Sequence, residues 1–274
     1  MNLLFLIYKT KETGLGHWYR MQVLMNAARA RGHIVALATN ELDFIPDWLV
    51  IDVPEDMYSS KVLDFLESYP YPTTRICTVD GISHKLGISA DLNISQNLSG
   101  EYSAPEYLIM RKPVTQRCFA LTAEWFVFGG ASDKMKLYEK FRRDCSAQTA
   151  NIVIGKFAPC PNIQDVNSKH HIWINLEDNI FSIMSRSEKA CLAMGMTVWE
   201  ALSLDLSSYV FSYSDRHLQS ALAMEQAGYI KAFGETGLPE PKVFREFLQQ
   251  PFTPTAPPID FLGAERVIKL MEKL

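Results

Sequence analysis

The chain lacks a cysteine framework. Its five cysteines, Cys77, Cys118, Cys145, Cys160 and Cys191, are scattered and odd in number, and no CxxC pair occurs. That excludes a disulfide scaffold and a thiolate zinc site, and it fits a reducing cytoplasm. A basic excess is also missing. The formal net charge is -4 at pH 7, which argues against a general nucleic-acid binder. The apolar start, Met1 to Tyr8, is too short to span a bilayer and carries neither a basic leader nor a cleavage-like site. It reads as a strand, and no stable membrane insertion is expected. No internal repeat or low-complexity tract stands out.

What is present is ordinary globular composition, 47% hydrophobic and 21% charged over 274 residues. That length suits two modest domains or one large one. The most informative stretch is Gly14-Leu15-Gly16-His17-Trp18-Tyr19-Arg20. It follows the apolar run Leu3 to Tyr8 and opens a segment with Met21, Leu24, Met25 and Ala28 at helical spacing. A strand, a glycine loop and a helix can bring backbone N–H groups and the positive end of a helix dipole up to a phosphate. Glycine permits that approach without a clash. His17, at the helix start, is placed to take a proton from water or a sugar hydroxyl. A plain glycine turn is the alternative reading of the same residues.

The chain then alternates strands with helices, which implies parallel βαβ units. Strands are predicted at 33–39, 49–53, 75–79, 91–95 and 107–110, and a helix over 59–69. In such sheets ligands bind beyond the carboxyl ends of the strands. The Gly14 loop, Asp52 and Asp80 share that edge, although an aspartate there also serves as a turn or cap residue. A second α/β pattern begins at Glu124-Trp-Phe-Val-Phe128 and runs into Gly129-Gly130-Ala131-Ser132-Asp133. Further on, Gly195-Met196-Thr197-Val198-Trp199-Glu200 has two compatible readings. One is a Thr-x-x-Glu capping box. In the other, a helix start holds a diphosphate and Glu200 accepts bonds from ribose hydroxyls. The adjacent histidines 170 and 171 read as structural. The expected organisation is two Rossmann-like domains, 1–120 and 121–274, facing a central cleft. The closing helix is able to pack back on the first domain.

In this order the motifs resemble the UDP-sugar hydrolases of pseudaminic acid biosynthesis and the related spore-coat polysaccharide proteins, within the GT-B superfamily. The matching pieces are Gly14-x-Gly-His-x-x-Arg20, Val50-Ile-Asp52, Val79-Asp80, Asp91 with Gln96-Asn-Leu98, Tyr107-Leu-Ile-Met-Arg111, Phe128-Gly-Gly130 with Asp133, and Gly195-x-Thr-x-x-Glu200. The resemblance implies that His17 activates water against the anomeric carbon of a UDP-sugar and that UDP leaves with inversion. It places ribose on Glu200, the uracil near Leu176, and the diphosphate at Gly195 and Thr197. Gly14, Gly16, Arg20, Asp80, Gly129, Gly130, Arg216 and His217 complete the expected substrate-binding set. No metal and no cofactor are implied. The chain departs from the pattern in having methionines at 194 and 196 and an extra Ala131. Where the hydrolases carry Asn-Gln at a helix start, this chain has Arg216-His217. A guanidinium there pairs with phosphate or carboxylate, which the amide does not. Three readings follow: a UDP-sugar hydrolase, a glycosyltransferase in which His17 deprotonates an acceptor, and a nucleotide-sugar binding protein without turnover.

Overall fold

The computed structural model describes residues 1–8, 15–38, 43–53, 55–71, 74–80, 87–113, 122–159, 170–175 and 180–274. Gly14 and Leu176 lie outside these residues. The chain divides into two compact units, Met1–Arg111 with Pro258–Leu274, and Lys112–Pro257.

The first unit carries β1 (Asn2–Ile7), α1 (Gly16–Ala30), β2 (Ile34–Leu37), β3 (Trp48–Asp52), α2 (Glu55–Glu67), β4 (Arg75–Val79), β5 (Leu92–Ser95) and β6 (Tyr102–Ser103). These strands form a six-stranded sheet in the order β2-β1-β3-β4-β5-β6, with every pairing parallel. Alternation along β1 and β3 explains the layering. Leu3, Phe5, Trp48 and Val50 join one buried cluster; Leu4, Leu6, Leu49 and Ile51 join another. Side chains alternate across a strand, so both faces are covered, as a parallel sheet requires. Gly32 ends α1 with a φ of 81°, the left-handed geometry that favours glycine after a helix.

The second unit carries β7 (Ala123–Phe128), α3 (Leu137–Asp144), β8 (Ala150–Ile154), β9 (His171–Asn175), α4 (Ile180–Met184), β10 (Ser187–Ala193), α5 (Met196–Leu202), β11 (Ser207–Ser212), α6 (Asp215–Gln226), β12 (Lys231–Thr236) and α7 (Pro241–Gln249). Its sheet is also six-stranded and parallel, in the order β12-β11-β10-β7-β8-β9. Trp125, Phe141, Tyr209, Phe211, Phe244 and Phe247 fill the cluster under α3 and α7. His171 is buried against it, its Nε2 lying 3.3 Å from the Cys145 carbonyl oxygen.

After a proline-rich stretch the chain returns to the first unit as α8 (Gly263–Lys273). Ala264, Val267, Ile268 and Met271 share a core cluster with Met21, Leu24, Met25 and Ala28 of α1. Glu272 at its end accepts two hydrogen bonds from Arg31, of 2.9 and 2.6 Å, and lies 2.8 Å from His33 Nε2.

Two local expectations are corrected. Residues 107–110 form no strand, because the Gln96 side chain takes the backbone groups a ladder would use. Its Oε1 accepts Ile109 N–H at 2.7 Å and its Nε2 donates to the Tyr107 carbonyl at 3.2 Å. The capping box is not formed either. Helix α5 begins two residues earlier than the box requires, with Gly195 as its N-cap and the Gly195 carbonyl accepting Val198 N–H at 3.0 Å.

Gly263 marks a close approach of α8 to the backbone at Leu108. A Cβ there would lie 2.2 Å from the Leu108 carbonyl oxygen. Gly263→Ala is expected to destabilise the protein by about 1–3 kcal/mol, the usual cost of overpacking. Chemical denaturation measures it, and a surface Lys269→Ala control should stay within about 0.5 kcal/mol.

Candidate functional site

In both sheets the connections reverse direction at one point. In the first, β1 leads outward to β2 while β3 leads the other way to β4. In the second, β7 leads to β8 and β10 to β11 on opposite sides. Ligands of open parallel sheets bind at the carboxyl ends of the strands flanking such a reversal.

At the first edge, Ile7 of β1 pairs with Asp52 of β3. This register sets Asp52 beneath the opening turn of α1. His17 and Arg20, three residues apart on that helix, share a face and both reach it. His17 Nδ1 lies 2.6 Å from Asp52 Oδ1. Arg20 grips the same carboxylate with two donors, Nε to Oδ2 at 2.7 Å and Nη2 to Oδ1 in a shorter contact. Its third arm, Nη1, donates to Asp80 Oδ2 at 2.5 Å. Asp80 follows β4 in the left-handed region, with φ 64°, and its Oδ1 accepts Gln96 N–H at 2.8 Å. One buried network therefore joins α1 to the ends of β3 and β4 and to the residue after β5.

Exposure assigns the roles within it. Asp52 is 0% exposed and Arg20 4%, whereas the His17 side chain is 22% exposed. Burial pushes the Asp52 carboxyl up, but Arg20 and His17 overcome this and hold it well below the usual carboxylate range. The two carboxylates likewise keep Arg20 charged against the effect of its burial. A carboxylate facing Nδ1 favours the tautomer with its proton there, leaving Nε2 as the basic nitrogen. The guanidinium of Arg20 is occupied by Asp52 and Asp80, an environment different from the substrate contact expected of it. Gly16 is the first residue of α1, with Leu15 as the N-cap.

Asp52 is the residue that sequence reasoning undervalued. A lone aspartate after an apolar strand reads as a turn residue. The sequence signal is the unbroken apolar run Trp48 to Ile51 that the acid ends; in the structure all five residues of β3 are buried, the acid included, so its charge needs a partner.

At the second edge, β7 is followed by Gly129-Gly130 and β10 by Met194-Gly195. A Cβ on Gly195 would meet nothing within 4 Å, so its surroundings are open. Thr197 lies in the first turn of α5, and Glu200 is buried in the same helix at 8% exposure. Gly129 is different. Its close approach is to the protein's own Asp133, whose Oδ1 would lie 1.8 Å from a Cβ. That carboxylate accepts Leu137 N–H at 2.8 Å and Tyr138 N–H at 3.3 Å. Gly130 is tied by its carbonyl, which accepts the Tyr138 hydroxyl at 3.0 Å. At the end of β11, Ser214 caps α6 and lies 2.7 Å from His217 Nδ1. The His217 ring rests on Tyr213 with centroids 4.1 Å apart, and Arg216 is exposed beside it.

Other reactive groups are quiet. Burial pushes the thiols of Cys77 and Cys145 up to about 12 and that of Cys191 well up, which leaves them poor nucleophiles. Among the described residues no group of three or more His, Cys, Asp or Glu is arranged to hold a metal ion.

No protein-family model and no curated protein sequence matches this chain. Solved structures do match in fold. MurG of Acinetobacter baumannii aligns over 100% of this chain and 99% of its own, with a TM-score of 0.60 and 10% identity. S. aureus MnaA, solved with UDP, aligns over 99% and 96%, with a TM-score of 0.61 and 12% identity. The spinosyn rhamnosyltransferase SpnG, complexed with thymidine diphosphate, aligns over 100% and 96%, at 0.55 and 12%. The fold is α/β with two Rossmann-like units, as in GT-B glycosyltransferases.

Asp133 supplies a pH test of the second unit. Burial raises its carboxyl to about 6, against the pull of the two backbone N–H groups. A raised folded-state value means that the protonated form is favoured by folding. Its contribution is full below about pH 4 and is lost as pH rises through about 6. Asp133→Asn keeps an acceptor for Leu137 N–H and suits the φ of 43°. Melting temperatures recorded from pH 4 to 7 should decline less steeply in this variant than in the parent.

Proposed function

We propose that the protein is a nucleotide-sugar-processing enzyme of glycosyltransferase type, with His17 as its general base. The observation that carries this is the His17–Asp52 pair at the strand reversal of the first sheet, with Nδ1 held by the carboxylate and Nε2 left to take a proton. An acceptor hydroxyl gives its proton to Nε2, and its oxygen bonds to the anomeric carbon of the donor. The bond from that carbon to the diphosphate oxygen breaks, and the nucleoside diphosphate leaves with the electron pair. Histidine is suited to the step because it exchanges a proton near neutral pH.

The nucleotide belongs to the second unit in this account. Gly195 and Thr197 face the diphosphate, and Glu200 accepts bonds from ribose hydroxyls. The segment at Leu176 meets the base by main chain, and Arg216 with His217 lies on the same strand edge. A pyrimidine nucleoside diphosphate is favoured, since the structural neighbours include MnaA with UDP and SpnG with thymidine diphosphate. On the first unit, Gly14 and Gly16 allow backbone approach, while Arg20 and Asp80 hold the base rather than the sugar.

A second reading replaces the acceptor by water. It is supported by the motif order from Gly14-x-Gly-His-x-x-Arg20 to Gly195-x-Thr-x-x-Glu200, which resembles the UDP-sugar hydrolases. Nucleoside diphosphate release without an acceptor separates it from transfer.

His17→Ala is expected to lower turnover by about 10²- to 10⁴-fold with UDP affinity little changed, as loss of a general base does. Activity surviving within a few-fold would remove His17 from that role. Glu200→Ala should weaken UDP binding, measured by calorimetry, more than it lowers the melting temperature of the ligand-free protein. The opposite pattern would make Glu200 a packing residue.

A further inference from the structure

His17 Nδ1 has two neighbours that want opposite things of it. Asp52 Oδ1, at 2.6 Å, accepts a hydrogen bond only if Nδ1 carries the proton. Arg20 Nη2, at 3.0 Å, donates one only if Nδ1 is bare. The first arrangement leaves Nε2 able to take a proton. The second puts the ring proton on Nε2 and removes the base. The shorter contact is the one with Asp52, so the first arrangement prevails, and something must restrain Arg20 from the second.

Asp80 is placed to do so. It takes Nη1 of Arg20 at 2.5 Å, so that the guanidinium's charge and one of its arms are engaged by a second carboxylate rather than left to the imidazole. It is itself fixed by three links: its left-handed φ of 64°, its N–H donating to the Ile94 carbonyl at 2.8 Å, and its Oδ1 accepting Gln96 N–H at 2.8 Å. Charge reinforces the geometry. Arg20 faces two carboxylates, and neutralising one leaves its positive charge less compensated and freer to turn to Nδ1. The same charge then weighs more heavily on Asp52 and weakens it as an acceptor. Both effects favour the Nε2–H form.

We propose that Asp80 is a positioning residue for the base: by holding Arg20 it selects the Nδ1–H tautomer of His17. This rests on His17 being the base in the proposed function, but its consequence for the tautomer is independent of turnover. Asp80 never touches the imidazole in this role. Its influence passes through one guanidinium, and the links of Asp80 to Ile94 and Gln96 make the restraint stiff.

Nitrogen-15 NMR of the imidazole rings tests this on the full-length, ligand-free protein, at a pH where the rings are neutral. The protein has six histidines, and the His17 signals are identified by their loss in His17→Ala. The wild type is expected to show a protonated Nδ1 and a bare Nε2. In Asp80→Asn the ratio of Nδ1–H to Nε2–H forms should fall by about tenfold or more, the scale of one lost hydrogen bond to a charged group. Asparagine tolerates the left-handed backbone and keeps its one acceptor for Gln96 N–H, so the substitution removes the charge and the acceptor that Arg20 Nη1 uses. Arg20→Lys moves the ratio the other way, because a single ammonium cannot reach both carboxylates and Nδ1 together. An unchanged ratio in folded Asp80→Asn overturns the proposal. A turnover unaffected by His17→Ala would instead overturn the reading of His17 as base, leaving the tautomer result intact.

Discussion

A carboxylate with no exposure to solvent governs the first unit. Asp52 sits at the end of a strand whose five residues are all buried. Removing a charge from water costs several kcal/mol, and only close partners with good geometry return it. Arg20 and His17 are those partners, and both come from the opening turn of α1. The need to satisfy Asp52 therefore fixes where α1 begins relative to β3. The same interaction that makes the buried charge tolerable leaves a histidine with one nitrogen occupied and the other basic. In the proposed function stability and chemistry share one set of atoms, so changes at Arg20 or Asp52 are expected to affect both.

The second unit repeats the topology with different contents. Its strand reversal is flanked by glycines that are not equivalent. Gly129 exists to admit the protein's own Asp133, whereas Gly195 borders open space. Gly129 organises the loop before α3, while Gly130 and Gly195 both have open space where a Cβ would lie. In the proposed function it is Gly195, with Thr197 and Glu200 in the following helix, that faces the nucleotide.

Much of this was legible in sequence, and what was not has physical reasons. The strands and α1 are local patterns: alternation and helical spacing report their own burial. The glycine loop with His17 is local too. Asp52 was not recognisable as a partner because it lies 35 residues from His17, and only the β1–β3 register brings the two together. The segment at 107–110 is a short apolar run like a buried strand, yet the Gln96 side chain takes its backbone groups. Thr197 and Glu200 carry capping-box spacing, but Gly195 starts the helix two residues sooner. Spacing identifies which residues can meet, and the tertiary register decides which do.

The most direct test is proton NMR of the purified protein with a panel of UDP- and thymidine diphosphate-sugars, first in plain buffer and then with hydroxyl acceptors. The anomeric signals report both binding and bond cleavage. The account predicts that at least one donor loses its anomeric signal as free nucleoside diphosphate appears, and that His17→Ala suppresses this while the donor still binds. Release without acceptor marks hydrolysis, and release only with acceptor marks transfer. A panel in which no nucleotide sugar binds or turns over, or full turnover by His17→Ala, would contradict it.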